Sequence, residues 1–216
     1  MTPSVPDFGA LLRSAERSAC HLEMRDSYGE DQVFADWRAG LPVERPEAYD
    51  LPEEYTNWAA LVRETVGRGV QVRRARVVSE PASAYIRWEH AITERHNVAL
   101  GEQVRWLPRS KASDLLLPGN DLWLVDDCRV LFHWFSGDGG WAGHEGTEDQ
   151  AVVKAVAAAF EAVWERAVPH AQYPSDQPST TTAGQPAPCR PPPPPASSKR
   201  ARPSRPAWWP CARTPA

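Results

Sequence analysis

Gly119-Asn120-Asp121-Leu122-Trp123-Leu124-Val125-Asp126-Asp127-Cys128-Arg129-Val130-Leu131-Phe132-His133-Trp134-Phe135 places two apolar runs on either side of a polar turn. Short apolar runs split by turn residues predict a buried β-hairpin. A turn centred on Asp127-Cys128 sets Val125 opposite Val130, Trp123 opposite Phe132 and Leu122 opposite His133. Both faces of this pair are apolar, so helices are expected to pack on at least one of them.

A helix suited to that role lies C-terminal to the hairpin. Val152, Val153, Val156, Ala159, Phe160, Val163, Trp164 and Ala167 keep one apolar face over five turns, behind a Thr147 and Gln150 capping-box spacing and ahead of Pro169. Between them, Gly137-Asp138-Gly139-Gly140 makes a turn and Trp141 to Glu145 a third strand.

N-terminal to the hairpin the period alternates. Phe8, Leu11, Leu12 and Ala15 behind Asp7 predict a helix over about residues 7 to 19; Leu22 and Met24 alternate with His21, Glu23 and Arg25 in a short strand. Phe34 and Trp37 mark a second short helix ending at Gly40, and Trp58, Leu61, Val62 and Thr65 a third, closed by Gly67 and Gly69. Val70 to Val78 reads as a strand, about 83 to 94 as a helix carrying Tyr85, Trp88 and Ile92, and Val104, Trp106 and Leu107 as a strand. These elements predict an α+β domain over residues 7 to 173: a central mixed, largely antiparallel sheet with helices packed against it.

Residues 174 to 216 differ in kind. Of these 43 residues 13 are Pro, and none is Leu, Val, Ile, Phe, Tyr or Met, so a disordered Pro/Arg-rich tail is expected, and out-of-frame or read-through sequence is one account of its origin. The tail carries six basic residues and one acid, which leaves 18 basic against 27 acidic residues in the body. Such an acidic body is a poor match for phosphate backbones, so direct nucleic-acid binding is not expected. Cys20, Cys128, Cys189 and Cys211 lie far apart, giving neither a zinc spacing nor a disulfide framework. No metal and no cofactor are expected. With no signal-peptide core and no apolar run of membrane-spanning length, the chain reads as a cytoplasmic protein without a membrane partner.

Several residue sets invite chemistry. Arg74 and Arg76 share one strand face and Arg73 takes the other; they could hold a small anionic ligand, or simply be solvated or paired with the body's acids. Arg76, Ser79, Glu80, Tyr85, Arg87, Glu89 and His90 gather at a strand end and a helix start, where α/β proteins often build ligand sites, and with Asp121 they form the candidate site. Tyr85 can equally be core and Glu80 an N-cap. Asp121 needs a donor if the strand that holds it is buried. Asp126 and Asp127 read as turn residues rather than cation ligands. His133 and His144 share a face if Phe135 opposes Gly140, and lie on opposite faces if it opposes Trp141.

Phe8-Gly9-Ala10-Leu11-Leu12-Arg13-Ser14, His21 to Asp26, Arg76 to Pro81, Tyr85 to His90, Gly119 to Asp127 and Ala159 to Ala167 together resemble an actinobacterial family of unknown function, over about residues 8 to 173. Members of that family are often encoded beside helix-turn-helix regulators, which implies an accessory or sensing role with such a regulator as partner; the resemblance supplies no reaction, and a non-catalytic protein is expected. The element order is also distantly similar to one half of the phospholipase D-like fold. Enzymes of that group use His-x-Lys, and none of the six histidines here has Lys two residues on. The rival reading is therefore a phosphodiesterase-like hydrolase with an unfamiliar residue set, which a deep pocket of converging groups with shifted pKa values would favour.

Overall fold

The computed structural model describes residues 7–29 and 31–174. The tail beyond Pro174 lies outside the described residues. In chain order the elements are α1 (Phe8–Arg13), β1 (Ser18–Glu23), α2 (Gln32–Arg38), α3 (Glu53–Gly67), β2 (Gln71–Val78), α4 (Ala84–His96), β3 (Gln103–Pro108), β4 (Asp121–Val125), β5 (Arg129–Phe135), β6 (Trp141–Thr147), α5 (Gln150–Arg166) and β7 (Val168–Pro169).

The seven strands form one sheet in the order β6-β5-β4-β1-β2-β3-β7. β1, β2 and β3 run parallel, and every other pairing is antiparallel. Because the three parallel strands succeed one another in a single direction, right-handed crossovers carry α2, α3 and α4 to the same side of the sheet. The other side belongs to α5. Its Val153, Val156, Phe160 and Val163 pack on Cys20, Leu22, Ala75, Val77, Leu107, Leu122, Leu124 and Val130. Under α1 and α3, Leu11, Leu12 and Leu61 pack on Ala19, Val72, Trp123 and Val125. Both faces of the hairpin are thus covered, and all five residues of β4 are buried.

Local expectations need four corrections. The hairpin register is one residue away from that expected: Val125 opposes Arg129, Leu124 opposes Val130, Trp123 opposes Leu131, Leu122 opposes Phe132 and Asp121 opposes His133. Its loop has three residues, with Asp126 and Asp127 at φ of 53° and 54°, a left-handed pair that Asp tolerates better than most residues. Helix α1 stops at Arg13 rather than near residue 19, because Asp126 accepts hydrogen bonds from the backbone N–H groups of Glu16, Arg17 and Ser18 at 2.9, 2.7 and 2.8 Å and draws that segment into the sheet. Asp149, not Thr147, caps α5, accepting from Ala151 and Val152 N–H. Finally, Phe135 does oppose Trp141, but a register shift between Trp134 and Phe135 sets His133 directly across from His144, on one face.

Candidate functional site

Alternation along the strands places His21 and Glu23 of β1, Arg74 and Arg76 of β2, Asp121 and Trp123 of β4, and His133 of β5 on the face away from α5. Pairing aligns them across the sheet: His21 with Arg74 on one side and Trp123 on the other, Glu23 with Arg76, and Asp121 with His133. Helices α3 and α4 cover this face, so the row of polar side chains is buried rather than solvated. Between sheet and helices lies a cavity of about 420 Å³.

Its floor is a shared-charge network. Glu23 accepts from Arg74 Nη1 at 2.5 Å and from Arg76 Nε at 2.6 Å; Arg74 Nε donates to Glu102 at 2.7 Å, and Arg76 Nη2 stands 3.2 Å from Glu89. Asn97 Nδ2 donates to the other Glu102 oxygen at 2.6 Å. Three carboxylates thus share two guanidiniums. Burial pushes Glu23 upward, but Arg74 and Arg76 outweigh it and hold the carboxyl well below its usual range. Glu89 has the weaker claim on Arg76, so burial dominates and lifts it to about 7. A cation this close would ordinarily lower a carboxyl. Here its charge is committed to the closer Glu23.

Asp121 finds the donors a buried strand requires: Met24 N–H at 2.8 Å and the Tyr28 hydroxyl at 2.5 Å. Burial still raises its carboxyl to about 6, with Glu23 adding to the rise. His21 stacks on Trp123 with ring centroids 4.3 Å apart. Burial holds the His21 imidazole well below its ordinary value and lowers those of His133 and His96 to about 4, so all three are neutral at pH 7. The walls are aromatic: Tyr55 and Trp58 from α3, Tyr85 and Trp88 from α4, Tyr28, and Phe135 and Trp141 from the sheet.

Among the described residues, eight buried side-chain nitrogens have no protein hydrogen-bond partner, and six of them belong to residues lining this cavity: both ring nitrogens of His21, Trp88 Nε1, His96 Nδ1, His133 Nε2 and Trp141 Nε1. His21 Nδ1 does lie 3.4 Å from Glu23 Oε1, without the alignment of a hydrogen bond. Buried polar atoms are almost always paired in folded proteins. The residues that carry six of these eight atoms gather around one cavity.

Of the residues expected at the site, Arg76, Tyr85, Glu89 and Asp121 line the cavity. Ser79, Glu80, Arg87 and His90 do not. Ser79 donates to Asp26, Glu80 accepts from the Tyr173 hydroxyl at 2.9 Å, Arg87 donates to the Ala82 carbonyl, and His90 Nε2 lies 3.1 Å from the Tyr173 carbonyl oxygen, beside Trp106 and His170. Arg73 sits on the opposite face and pairs with Glu161 of α5. Arg74, weighed from the sequence as an anion holder beside Arg76, lines the cavity too, whereas His21, Glu23, Trp88 and Trp141 were not expected there.

The expected small anionic ligand is corrected by the charge of the site. Glu23, Asp31, Glu54, Glu89 and Asp121 face the cavity against Arg74 and Arg76, and both guanidiniums are already engaged. Among the described residues no group of three or more His, Cys, Asp or Glu could hold a metal ion, and no helix is long and apolar enough to cross a membrane.

The chain belongs to a family defined as a domain of unknown function, DUF6879, whose model matches residues 6–175. No curated protein matches it. A solved structure of TrmBL2, an archaeal chromatin protein with a novel mode of DNA binding, aligns with 74% of this chain and 49% of its own, at 13% identity and a TM-score of 0.42. This chain therefore spans about half the length of that protein. The expectation against direct nucleic-acid binding is corrected by this finding and is withdrawn, since a DNA-binding protein stands among the structures the chain aligns with. A likeness this distant assigns no ligand to the chain.

Proposed function

We propose that the domain is a small-molecule-binding module, non-catalytic, in which the cavity between the sheet and α3 and α4 is the binding site. The observation that carries this reading is the set of unpartnered buried nitrogens on His21, Trp88, His96, His133 and Trp141, five residues that line one cavity. A cavity of about 420 Å³ lies in the range that encloses small ligands, and its lining combines aromatic side chains with convergent polar and charged ones, as a site that fixes a ligand's orientation requires. In this reading the protein acts in the cytoplasm as an accessory to a helix-turn-helix regulator, reporting occupancy of the cavity. That setting rests on the family resemblance of the sequence.

The hydrolase reading draws on the same convergence of shifted groups. It is disfavoured for a phosphodiester, because the substrate is an anion and the cavity's carboxylates outnumber its guanidiniums. Thermal denaturation of the full chain against a panel of small polar metabolites tests the binding reading. A ligand at a hundred times its Kd stabilises by about 2.7 kcal/mol, an easily read shift. At least one compound should raise the melting temperature of the native chain and leave that of Trp88→Phe unmoved. A panel that shifts neither protein, or shifts both equally, sinks the proposal.

A further inference from the structure

If the cavity is a binding site, as proposed for it, its charge and donor pattern narrow the ligand to one chemical class. Arg74 and Arg76 are consumed by Glu23, Glu102 and Glu89. Three further lining carboxylates have no cationic partner within that network: Asp121 accepts from Met24 N–H and the Tyr28 hydroxyl, Asp31 accepts from Phe34 N–H and the Tyr55 hydroxyl, and Glu54 is exposed at the rim. A surplus of carboxylate facing aromatic rings is the setting in which an organic cation is held, by Coulomb attraction and by the ring faces together. The unpartnered nitrogens sharpen this further. His21 and His133 are only 8% and 4% exposed and neutral, so each ring keeps a nitrogen lone pair, and both carry ring nitrogens with no protein partner. Trp88 and Trp141 offer only N–H donors and require an acceptor on the ligand.

We propose that the cavity binds a small protonated amine that also carries an oxygen acceptor, its ammonium directed at Asp121 and the neutral imidazoles of His21 and His133, and its oxygen at the indole N–H groups of Trp88 and Trp141. A quaternary ammonium lacks the N–H bonds that the imidazoles would accept. A neutral polyol satisfies the indoles but leaves the carboxylates unbalanced.

Isothermal titration of the full chain at pH 7.5 with a matched series decides among these. The probes are tyramine, its neutral isostere tyrosol, the N-trimethyl derivative of tyramine, and hydroxyphenylpropionate. Tyramine should bind at least tenfold more tightly than tyrosol and more tightly than its trimethyl derivative, with no heat from the acid. Asp121→Asn should cut the preference for tyramine over tyrosol to less than threefold. If that variant does not fold, Glu54→Gln, at an exposed position, should reduce the same preference by two- to threefold. Tyrosol binding as tightly as tyramine, or the acid binding best, overturns the amine assignment while leaving the cavity a ligand site. Absence of heat from every probe also overturns it, and the metabolite panel then judges the binding reading separately.

Discussion

Arg76 Nη2 stands 3.2 Å from Glu89 Oε1, the longest of the four ion pairs that join two buried guanidiniums to three buried carboxylates. Glu89 is therefore the surplus acid of the network. Its carboxyl titrates near 7 in the folded chain against an ordinary 4.5. A carboxyl raised by folding contributes stability that is full below about pH 4.5 and is lost as the pH climbs through 7. Glu89→Gln removes that loss. Relative to the native chain, the variant should gain on the order of 1–3 kcal/mol between pH 5 and pH 8, read from urea unfolding at the two pH values. An unchanged difference would show that Glu89 is ionised throughout.

Arg74 bridges Glu23 and Glu102, and Glu102 is 2% exposed. Arg74→Met leaves Glu102 with Asn97 as its side-chain partner, and breaking a buried pair from one side costs about 3–5 kcal/mol. Arg13→Met serves as the control, since the Arg13 pair with Glu64 is exposed. Equal losses in the two variants would mean that the buried network contributes no more than a surface pair.

His133 places Nε2 in the interior without a protein partner, between Phe8 and Trp141. Phe fits the same aromatic surroundings and removes the orphaned atom. His133→Phe should leave the unliganded chain as stable or raise it by about 1 kcal/mol, while abolishing ligand-induced stabilisation. A loss of more than about 1 kcal/mol would mean that the imidazole already bonds within the fold.

Asp126 ties the hairpin loop to the start of β1 through three backbone donors. Asp126→Ala should cost about 1–3 kcal/mol by chemical denaturation and expose the Glu16 to Ser18 amides to hydrogen exchange. Burial raises the Asp126 carboxyl, but the three backbone donors prevail and leave it below 3.8, so its contribution fades as the pH falls below that value. Protection of those amides unchanged in the variant would refute the tie.

The hairpin and α5 were legible because their apolar positions repeat with the period of a strand pair and of a helix. Register was not, since a three-residue loop and a two-residue turn leave the same pattern of apolar runs. The site divides similarly. Arg76, Tyr85 and Glu89 come from one contiguous segment and could be read together. His21, Glu23, Arg74, His133 and Trp141 come from four strands, and only the sheet order brings them to one cavity. A signal did exist: His21 and Glu23 alternate with Cys20 and Leu22, Arg74 and Arg76 with Ala75 and Val77. Charged residues at alternate positions in strands covered on both faces have nowhere to go but inward.

The most direct measurement is a crystal structure of the full chain with whichever compound of the metabolite panel stabilises it most. That compound should lie between β1, β4, β5 and α4, with polar atoms within about 3.2 Å of His21 Nε2, His133 Nε2 or Trp88 Nε1. A compound seated elsewhere, with those nitrogens bonded to neighbouring protein groups in a closed cavity, would contradict it.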